Sequence, residues 1–143
     1  MNITGKLLPT ESIIGLDQHF FPNSWTRDQW STFNPNYLRL WTLEVENDLS
    51  GFCLFSFLDG DEVAHLLKIL IIPTRLGDGR AQAFLLRIIE DLRSMGLKSI
   101  YLEVEANNLR AQAFYQKMGF VTLRRILNFY SSGSDAITME LTL

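Results

Sequence analysis

The chain has little of several things that would settle its function class at once. Of its 143 residues a single one is cysteine, Cys53, so no internal disulfide can form, which favours a reducing compartment such as the cytoplasm. No apolar run approaches the roughly 20 residues that span a bilayer, and the first residues lack the pattern of a signal peptide, so no membrane association is expected. The 13 lysines and arginines are outnumbered by 16 acidic residues and are scattered, which argues against nucleic acid as a partner.

Metal and covalent chemistry find little support either. The two histidines, His19 and His65, have no metal-ligand spacing to each other or to Cys53. No metal site is therefore expected, and both histidines are interpreted as structural or surface residues. No serine stands in the context of a nucleophile elbow. Since no repeat, low-complexity tract or linker interrupts the chain, we expect one domain over residues 1–143.

What the chain does contain is a change of hydrophobic period near its middle. Before the change, three strands are predicted to form an antiparallel meander; after it, strands alternate with helices, which implies a parallel central pair and a right-handed crossover. The expected fold is α/β: a mixed central sheet with an antiparallel first half, a parallel central pair and helices on both faces. The predicted strands span residues 37–44, 52–58, 64–72, 99–104, 121–129 and 136–143. The predicted helices span residues 11–21, a short segment after Thr26, 79–95 and 109–118.

A loop with two glycines, Arg75-Leu-Gly-Asp-Gly-Arg80, lies between a predicted strand and a predicted helix. Glycines there let the backbone approach an anion, the N–H groups at the helix start point toward it, and the two arginines add positive charge. The loop has neither the Gly-Lys-Ser/Thr of a nucleotide P-loop nor the third glycine of a dinucleotide motif. It favours another phosphate-bearing ligand; the alternative is ordinary loop chemistry before a helix.

Two carboxylates stand out on the strand that follows this helix. Tyr101, Glu103 and Glu105 share one face of it. Because a strand covered on both faces is normally apolar, this pattern predicts an opening onto a cleft, where Glu103 is a candidate general base. The alternative is that each carboxylate only pairs with a basic residue at the strand end. Further on, Asn108 suits a helix N-cap, and Tyr115, two turns later, is either a half-buried core residue or a proton donor.

Together with their surroundings, these motifs resemble the GCN5-related N-acetyltransferase superfamily and, within it, the RimI-type enzymes, which acetylate the N-terminal amine of a protein. The resemblance is best over residues 61–141 and loose over residues 1–60. The similar segments are the strand ending at Pro73, the glycine loop, Leu-Glu-Val-x-Ala-x-Asn ending at Asn108, Ala-x-x-Phe-Tyr-x-x-x-Gly-Phe ending at Phe120, Arg124-Arg125, Asn128-Phe-Tyr130 and Asp135-Ala-Ile-x-Met139. The segment Phe21-Pro22 with Trp25-Thr26 is similar to the entry of the superfamily's second helix.

By that resemblance, acetyl-CoA would be the co-substrate and a protein N-terminus or a small amine the acceptor. Glu103 would act as base on the substrate ammonium through water, and Tyr115 would protonate the departing thiolate. Trp25, Glu105 and Tyr130 would contact the acceptor. The residues implied to hold the cofactor are Leu70, Ile71, Ile72, Leu76, Gly77, Gly79, Arg80 and Asn108.

The glycine loop departs from the pattern of the superfamily. Thr74 stands where a glutamine or arginine is usual, Asp78 adds a negative charge between the glycines, and the stretch 73–77 is about two residues short. These differences predict either weaker cofactor binding or a rerouted loop in which Arg75 compensates. They also keep a third alternative open, a non-catalytic acyl-CoA-binding domain.

Overall fold

The computed structural model describes residues 1–6, 8–77 and 79–143. Within them, seven strands form one sheet in the order β1-β2-β3-β4-β5-β7-β6. The strands are β1 (Asn2–Lys6), β2 (Leu38–Val45), β3 (Asp48–Ser56), β4 (Val63–Ile71), β5 (Ser99–Glu105), β6 (Val121–Ile126) and β7 (Ala136–Thr142). The helices are α1 (Glu11–Phe20), α2 (Arg27–Ser31), α3 (Arg80–Ser94) and α4 (Leu109–Lys117), with a 3-10 turn at Pro73–Arg75.

The topology confirms the predicted mixed sheet. Strands β1 to β4 run antiparallel to their neighbours, β4 and β5 are parallel and connected through α3, and β5, β7 and β6 are again antiparallel. Strand β1 was not predicted. It is an edge strand in which only Ile3 is partly buried, so its residues carry no alternating pattern, and pairing with β2 alone makes the segment extended.

Each face of the sheet carries its own apolar core, as expected for helices on both faces. One core joins α3 and α4 to β2–β5 and β7, and the predicted helical stripe of α3 is buried in it: Phe84, Leu85, Ile88, Ile89 and Leu92. The other core joins α1 and α2 to β2 and β3 and includes Ile13, Trp30, Phe33, Leu40, Phe52 and Leu54. No helix in the described ranges has the length and apolar character needed to cross a membrane.

The parallel pairing of β4 with β5 stops halfway along both strands. It covers Val63–Leu66 and Ser99–Leu102 and goes no further. Just beyond, the register between β4 and β3 shifts by one residue, which makes Leu67 a bulge. From there β4 follows β3 as far as Ile71, while β5 follows β7 as far as Glu105. The two strands therefore leave an opening between them, which we call the β4–β5 opening, and Glu103 is the first residue of β5 beyond the paired part.

Candidate active site

The backbone of β4 borders the β4–β5 opening. The Ile72 N–H donates to the Ser50 carbonyl oxygen at 2.9 Å, so the peptide groups of Ile72 face β3. Because backbone groups alternate along a strand, those of Leu70 also face β3, and those of Ile69 and Ile71 face the opening. Of the three residues implied to receive the cofactor arm, Ile71 is thus the one whose N–H and C=O point the right way.

The glycine loop brings together features that suit an anion. Gly77 has φ 109° and Gly79, at the start of α3, has φ 69°, values that favour glycine because a Cβ is strained there. Leu76 precedes them and is partly exposed. A cavity of about 160 Å³ between the start of α3 and α4 is lined by Gly77, Gly79, Arg80, Ala81, Gln82, Phe114, Lys117 and Met118. Backbone at a helix start and two cationic side chains fit a pyrophosphate. Asp78 lies outside the described residues.

Arg75, which the sequence offered as a compensation for the short loop, has its guanidinium near two acidic side chains. Its guanidinium lies 3.4 Å from a carboxylate oxygen of Glu46, in the turn after β2, and 3.4 Å from one of Asp48, the first residue of β3. Its charge is therefore offset by two acids. Instead, its backbone carbonyl accepts a hydrogen bond from the Arg80 guanidinium at 3.0 Å, which ties Arg80 to the loop.

Glu103 lies at the edge of the opening with its side chain 16% exposed. One carboxylate oxygen, Oε2, is 2.6 Å from Nε2 of His65, whose ring centre is 5.3 Å from that of Tyr101. Burial, together with the neighbouring Glu103 carboxylate, raises the pKa of Tyr101 above its ordinary value. The alternative interpretation of Glu103 was a pairing with a basic residue at the strand end, and the structure shows a histidine of the adjacent strand as its partner.

His65 was interpreted as a structural or surface residue, and the structure places it in the site. The signal that could have revealed it is its place in β4: its neighbours Ala64 and Leu66 are both buried in the core below α3, so its own side chain projects from the other face. In the parallel register His65 lies opposite Tyr101, and Glu103 is the next residue on that same face of β5.

Two tyrosines complete the surroundings of the opening. Tyr115 on α4 is only 8% exposed, and its ring packs against Phe120 at 5.4 Å. Burial raises its pKa strongly, with smaller contributions from Cys53 and Tyr130, so the phenol is protonated at neutral pH. Burial and then Glu105 and Glu103 raise the pKa of Tyr130 to about 12. Tyr130 therefore lies within electrostatic reach of both carboxylates and of Tyr115.

Asn108 caps α4, as its position in the sequence suggested. Its Oδ1 accepts a hydrogen bond from the Ala111 N–H at 3.1 Å. Within the described ranges the side-chain NH₂ group donates to no protein group, so a ligand can accept from it. Capping and cofactor binding are thus compatible.

Trp25 stands at the other side of the opening, above the face of the sheet that carries His65. A cavity of about 350 Å³ is lined by Trp25, Gln29, Thr32, Tyr37, Leu38, Ser56, His65 and Leu67. The indole of Trp25 packs against that of Trp30 with ring centres 4.8 Å apart. Aromatic and polar side chains around a concave space suit an acceptor molecule.

A buried ion pair that sequence analysis did not foresee holds this segment in place. Asp17 of α1 is fully buried, and its carboxylate accepts hydrogen bonds from Lys68 Nζ at 2.7 Å, from the Trp25 N–H at 2.9 Å and from Trp30 Nε1 at 2.9 Å. Lys68 also lies over the ring of Phe21, 4.8 Å from its centre. One lysine within an apolar strand and one aspartate on the inner face of a helix were the only signals in the sequence.

Comparison with known proteins agrees with this geometry. Residues 9–120 match the family model described as the acetyltransferase (GNAT) family. The chain belongs to that family. A [ribosomal protein bS18]-alanine N-acetyltransferase of Escherichia coli strain K12 is 35% identical over 85 residues, which is 56% of either chain. The first curated relatives are matched over 40 to 56% of their length, so the chain spans about half of them.

Two solved structures share the whole fold of this chain. The crystal structure of the ribosomal-protein-S18-alanine N-acetyltransferase of Escherichia coli superposes with a TM-score of 0.81 at 24% identity, covering 99% of this chain and 94% of that one. The structure of Arabidopsis thaliana NAA60 in complex with acetyl-CoA has a TM-score of 0.81 at 17% identity, covering 99% and 100%. At these identities the likeness shows the fold.

Proposed function

We propose that this GNAT protein is an acetyl-CoA-dependent N-acetyltransferase whose acceptor is the N-terminal α-amine of a protein. The observation that carries the proposal is the β4–β5 opening, with the Glu103 carboxylate at its edge and the protonated phenol of Tyr115 close by. Cys53 contributes to the raised pKa of Tyr115. On the sheet, Cys53 is the register partner of Ile69, which lies in the unpaired half of β4. Tyr130 also raises the pKa of Tyr115, and Glu103 in turn raises the pKa of Tyr130. The names of similar proteins, an N-alpha-acetyltransferase and an alanine N-acetyltransferase of a ribosomal protein, support this acceptor class.

The residues divide the proton chemistry between them. Acetyl-CoA, when bound, supplies the acetyl group as a thioester. An amine attacks such a carbonyl only in its neutral form, and at neutral pH an α-amine is largely protonated. Glu103 accepts that proton, directly or through one water. Tyr115 is the donor of a proton to the departing thiolate in this scheme, and its raised pKa keeps the phenol protonated until the thiolate forms.

The proposed cofactor contacts follow the geometry of the opening. The peptide groups of Ile71 face the opening and would be the hydrogen-bond partners of the pantetheine arm, with Leu70 and Ile72 flanking them on the strand. Asn108 offers its free NH₂ group. The pyrophosphate would lie in the cavity at the start of α3, held by Leu76, Gly77, Gly79 and Arg80, with Lys117 as a further cation.

The acceptor would enter between Trp25 and Tyr130, with Glu105 as a second acid at the mouth. Carboxylates at the entrance favour a cationic amine before its proton is removed. This proposal places the enzyme in the cytoplasm, where the buried thiol of Cys53 stays reduced.

The test is acetyl transfer by the purified protein to a panel of peptides that differ in their first two residues. Transfer is followed by peptide mass and by release of free CoA thiol. We expect Glu103→Gln and Tyr115→Phe each to lower kcat by about 10²-fold or more, because each removes a proton-transfer group. The matched control is Glu90→Gln, a change at an exposed glutamate of α3. Peptides with a blocked N-terminus should not react.

Other outcomes would overturn the proposal. Acetylation of polyamines or amino acids with no transfer to any peptide would show a small-molecule enzyme. Binding of CoA without transfer to any amine would show a non-catalytic acyl-CoA-binding domain.

A further inference from the structure

His65 lies between Glu103 and the cavity beside Trp25. Its imidazole is 37% exposed and forms part of the wall of that cavity of about 350 Å³. On β3 its register partner is Ser56, and on β5 it is Tyr101. The backbone of His65 is therefore held by strands on both sides, at the point where the β4–β5 opening begins.

The contact between His65 and Glu103 requires a proton. Two lone pairs at 2.6 Å would repel each other, so one hydrogen lies between Nε2 of His65 and Oε2 of Glu103. With Glu103 ionised the imidazole is the donor, which makes this a charge-assisted hydrogen bond. The Tyr101 hydroxyl is a second hydrogen-bond donor to the Glu103 carboxylate, and this contact contributes to the raised pKa of Tyr101.

Other charged groups near His65 are engaged elsewhere or lie on the same face. Lys68, three residues further along β4, donates to Asp17 and to the Asn23 carbonyl oxygen and is buried on that side. Tyr101 lies beside both His65 and Glu103, and Arg124 of β6 is close enough to affect the pKa of Tyr101. Tyr101 therefore shares the Glu103 carboxylate with His65, and the imidazole is the group in contact with Oε2 at 2.6 Å.

We propose that His65 is a positioning residue for Glu103. Its Nε2–H holds Oε2, and Oε1 is then left to receive the proton of the acceptor ammonium. In that step an N–H bond of the ammonium breaks, the proton bonds to the carboxylate, and the electron pair stays on the nitrogen. This inference rests on the proposed function, because it assigns His65 a part in the same transfer.

Positioning through a hydrogen bond makes a specific kinetic prediction. The variant His65→Leu keeps most of the side-chain volume but has no hydrogen-bond donor. We expect its kcat to fall about 10- to 100-fold, which is the loss expected for one charge-assisted hydrogen bond. The KM for a peptide should change by less than about threefold. His65→Gln carries an NH₂ group at a similar reach and should recover most of kcat. His19→Gln, at the exposed histidine of α1, is the matched control.

The decisive experiment is a double-mutant cycle. If His65 acts only through Glu103, His65→Leu costs nothing further in a Glu103→Gln background. An equal loss in both backgrounds, or a loss in KM with kcat unchanged, would overturn the proposal. The cycle is run on whichever amine the wild-type protein acetylates, so a small-molecule acceptor would overturn only the peptide part of the proposed function.

A measurement without turnover separates the two proposals. In ¹⁵N-labelled protein the His65 ring should show a protonated Nε2 whose chemical shift moves in Glu103→Gln. If that shift is observed and no amine is acetylated, the pair stands and the proposed function is wrong. If His65 carries its proton on Nδ1 and is unaffected by Glu103→Gln, the positioning role is wrong whatever the activity.

Discussion

Two aspartates anchor the two segments that flank the β4–β5 opening, and they use the same chemistry in different surroundings. Asp17 accepts from the Lys68 ammonium, a backbone N–H and an indole N–H, and so holds the segment that carries Trp25. Asp135 accepts from Arg125 Nε at 2.7 Å and from the Asn128 N–H at 2.9 Å, and so closes the β6–β7 connection that carries Tyr130. Asp17 is fully buried, whereas the side chain of Asp135 is 19% exposed and that of its partner Arg125 is 58% exposed.

The difference shows how surroundings set the value of a contact. In the interior a charge that loses its partner is not solvated by water, so its loss is costly. The Asp17 carboxylate has three hydrogen-bond donors around it that offset this cost. At the surface water replaces a lost partner at little cost. We therefore expect loss of the Asp17–Lys68 pair, which holds the Trp25 segment, to lower stability strongly. Loss of the Arg125–Asp135 pair, which holds the Tyr130 segment, should lower it only slightly.

The largest expected effect comes from breaking the buried anchor. Asp17→Asn leaves the Lys68 ammonium buried without its counter-charge, and we expect the free energy of unfolding to fall by about 3–5 kcal/mol, measured by urea denaturation. The double variant Asp17→Asn/Lys68→Met removes the orphaned charge and should recover a large part of that loss. A double variant as unstable as the single one would show that charge pairing is not what holds the segment.

An intermediate effect is expected at the mouth itself. Trp25 is held in place before the acceptor arrives, so we expect Trp25→Ala to raise the KM for a peptide about tenfold, as for a well-packed aromatic contact. Tyr130→Ala, on the surface-anchored segment, should raise it less. Steady-state kinetics on one peptide compares the two variants, with Glu90→Gln on the exposed face of α3 as a control away from the cavity. Equal increases in KM for the two variants would show that the buried anchor of the Trp25 segment gives it no larger part in acceptor binding than the Tyr130 segment has.

The smallest effect is expected at the surface anchor and depends on pH. The Asn128 N–H, with Arg125, lowers the pKa of Asp135. A lowered folded-state pKa contributes stability above the unfolded carboxyl pKa of about 4, and that contribution is lost as the pH falls through the folded value. Asp135→Asn should therefore lower the midpoint of thermal unfolding slightly at pH 7 and not at strongly acid pH. A difference between wild type and variant that is independent of pH would contradict this account.

Local patterns predicted the elements near the opening well. The glycine loop, the strand with Glu103 and the helix capped by Asn108 are all formed by residues close to one another in the chain, where hydrophobic period and turn chemistry decide the outcome. Strand β1 was missed because it has almost no buried face. His65 and the Asp17–Lys68 pair were missed because their partners are 38 and 51 residues away.

The sequence by itself determined the order and type of most elements, the face of β5 on which Glu103 lies and the left-handed glycines at the start of α3, because these follow from backbone geometry within a few residues. Only the tertiary structure decided where β4 and β5 part, which turns one bulge at Leu67 into an opening. It also decided that a histidine of β4 meets the glutamate of β5 and that a buried ion pair holds the Trp25 segment. Such contacts depend on strand register and burial, which arise only when distant segments pack together.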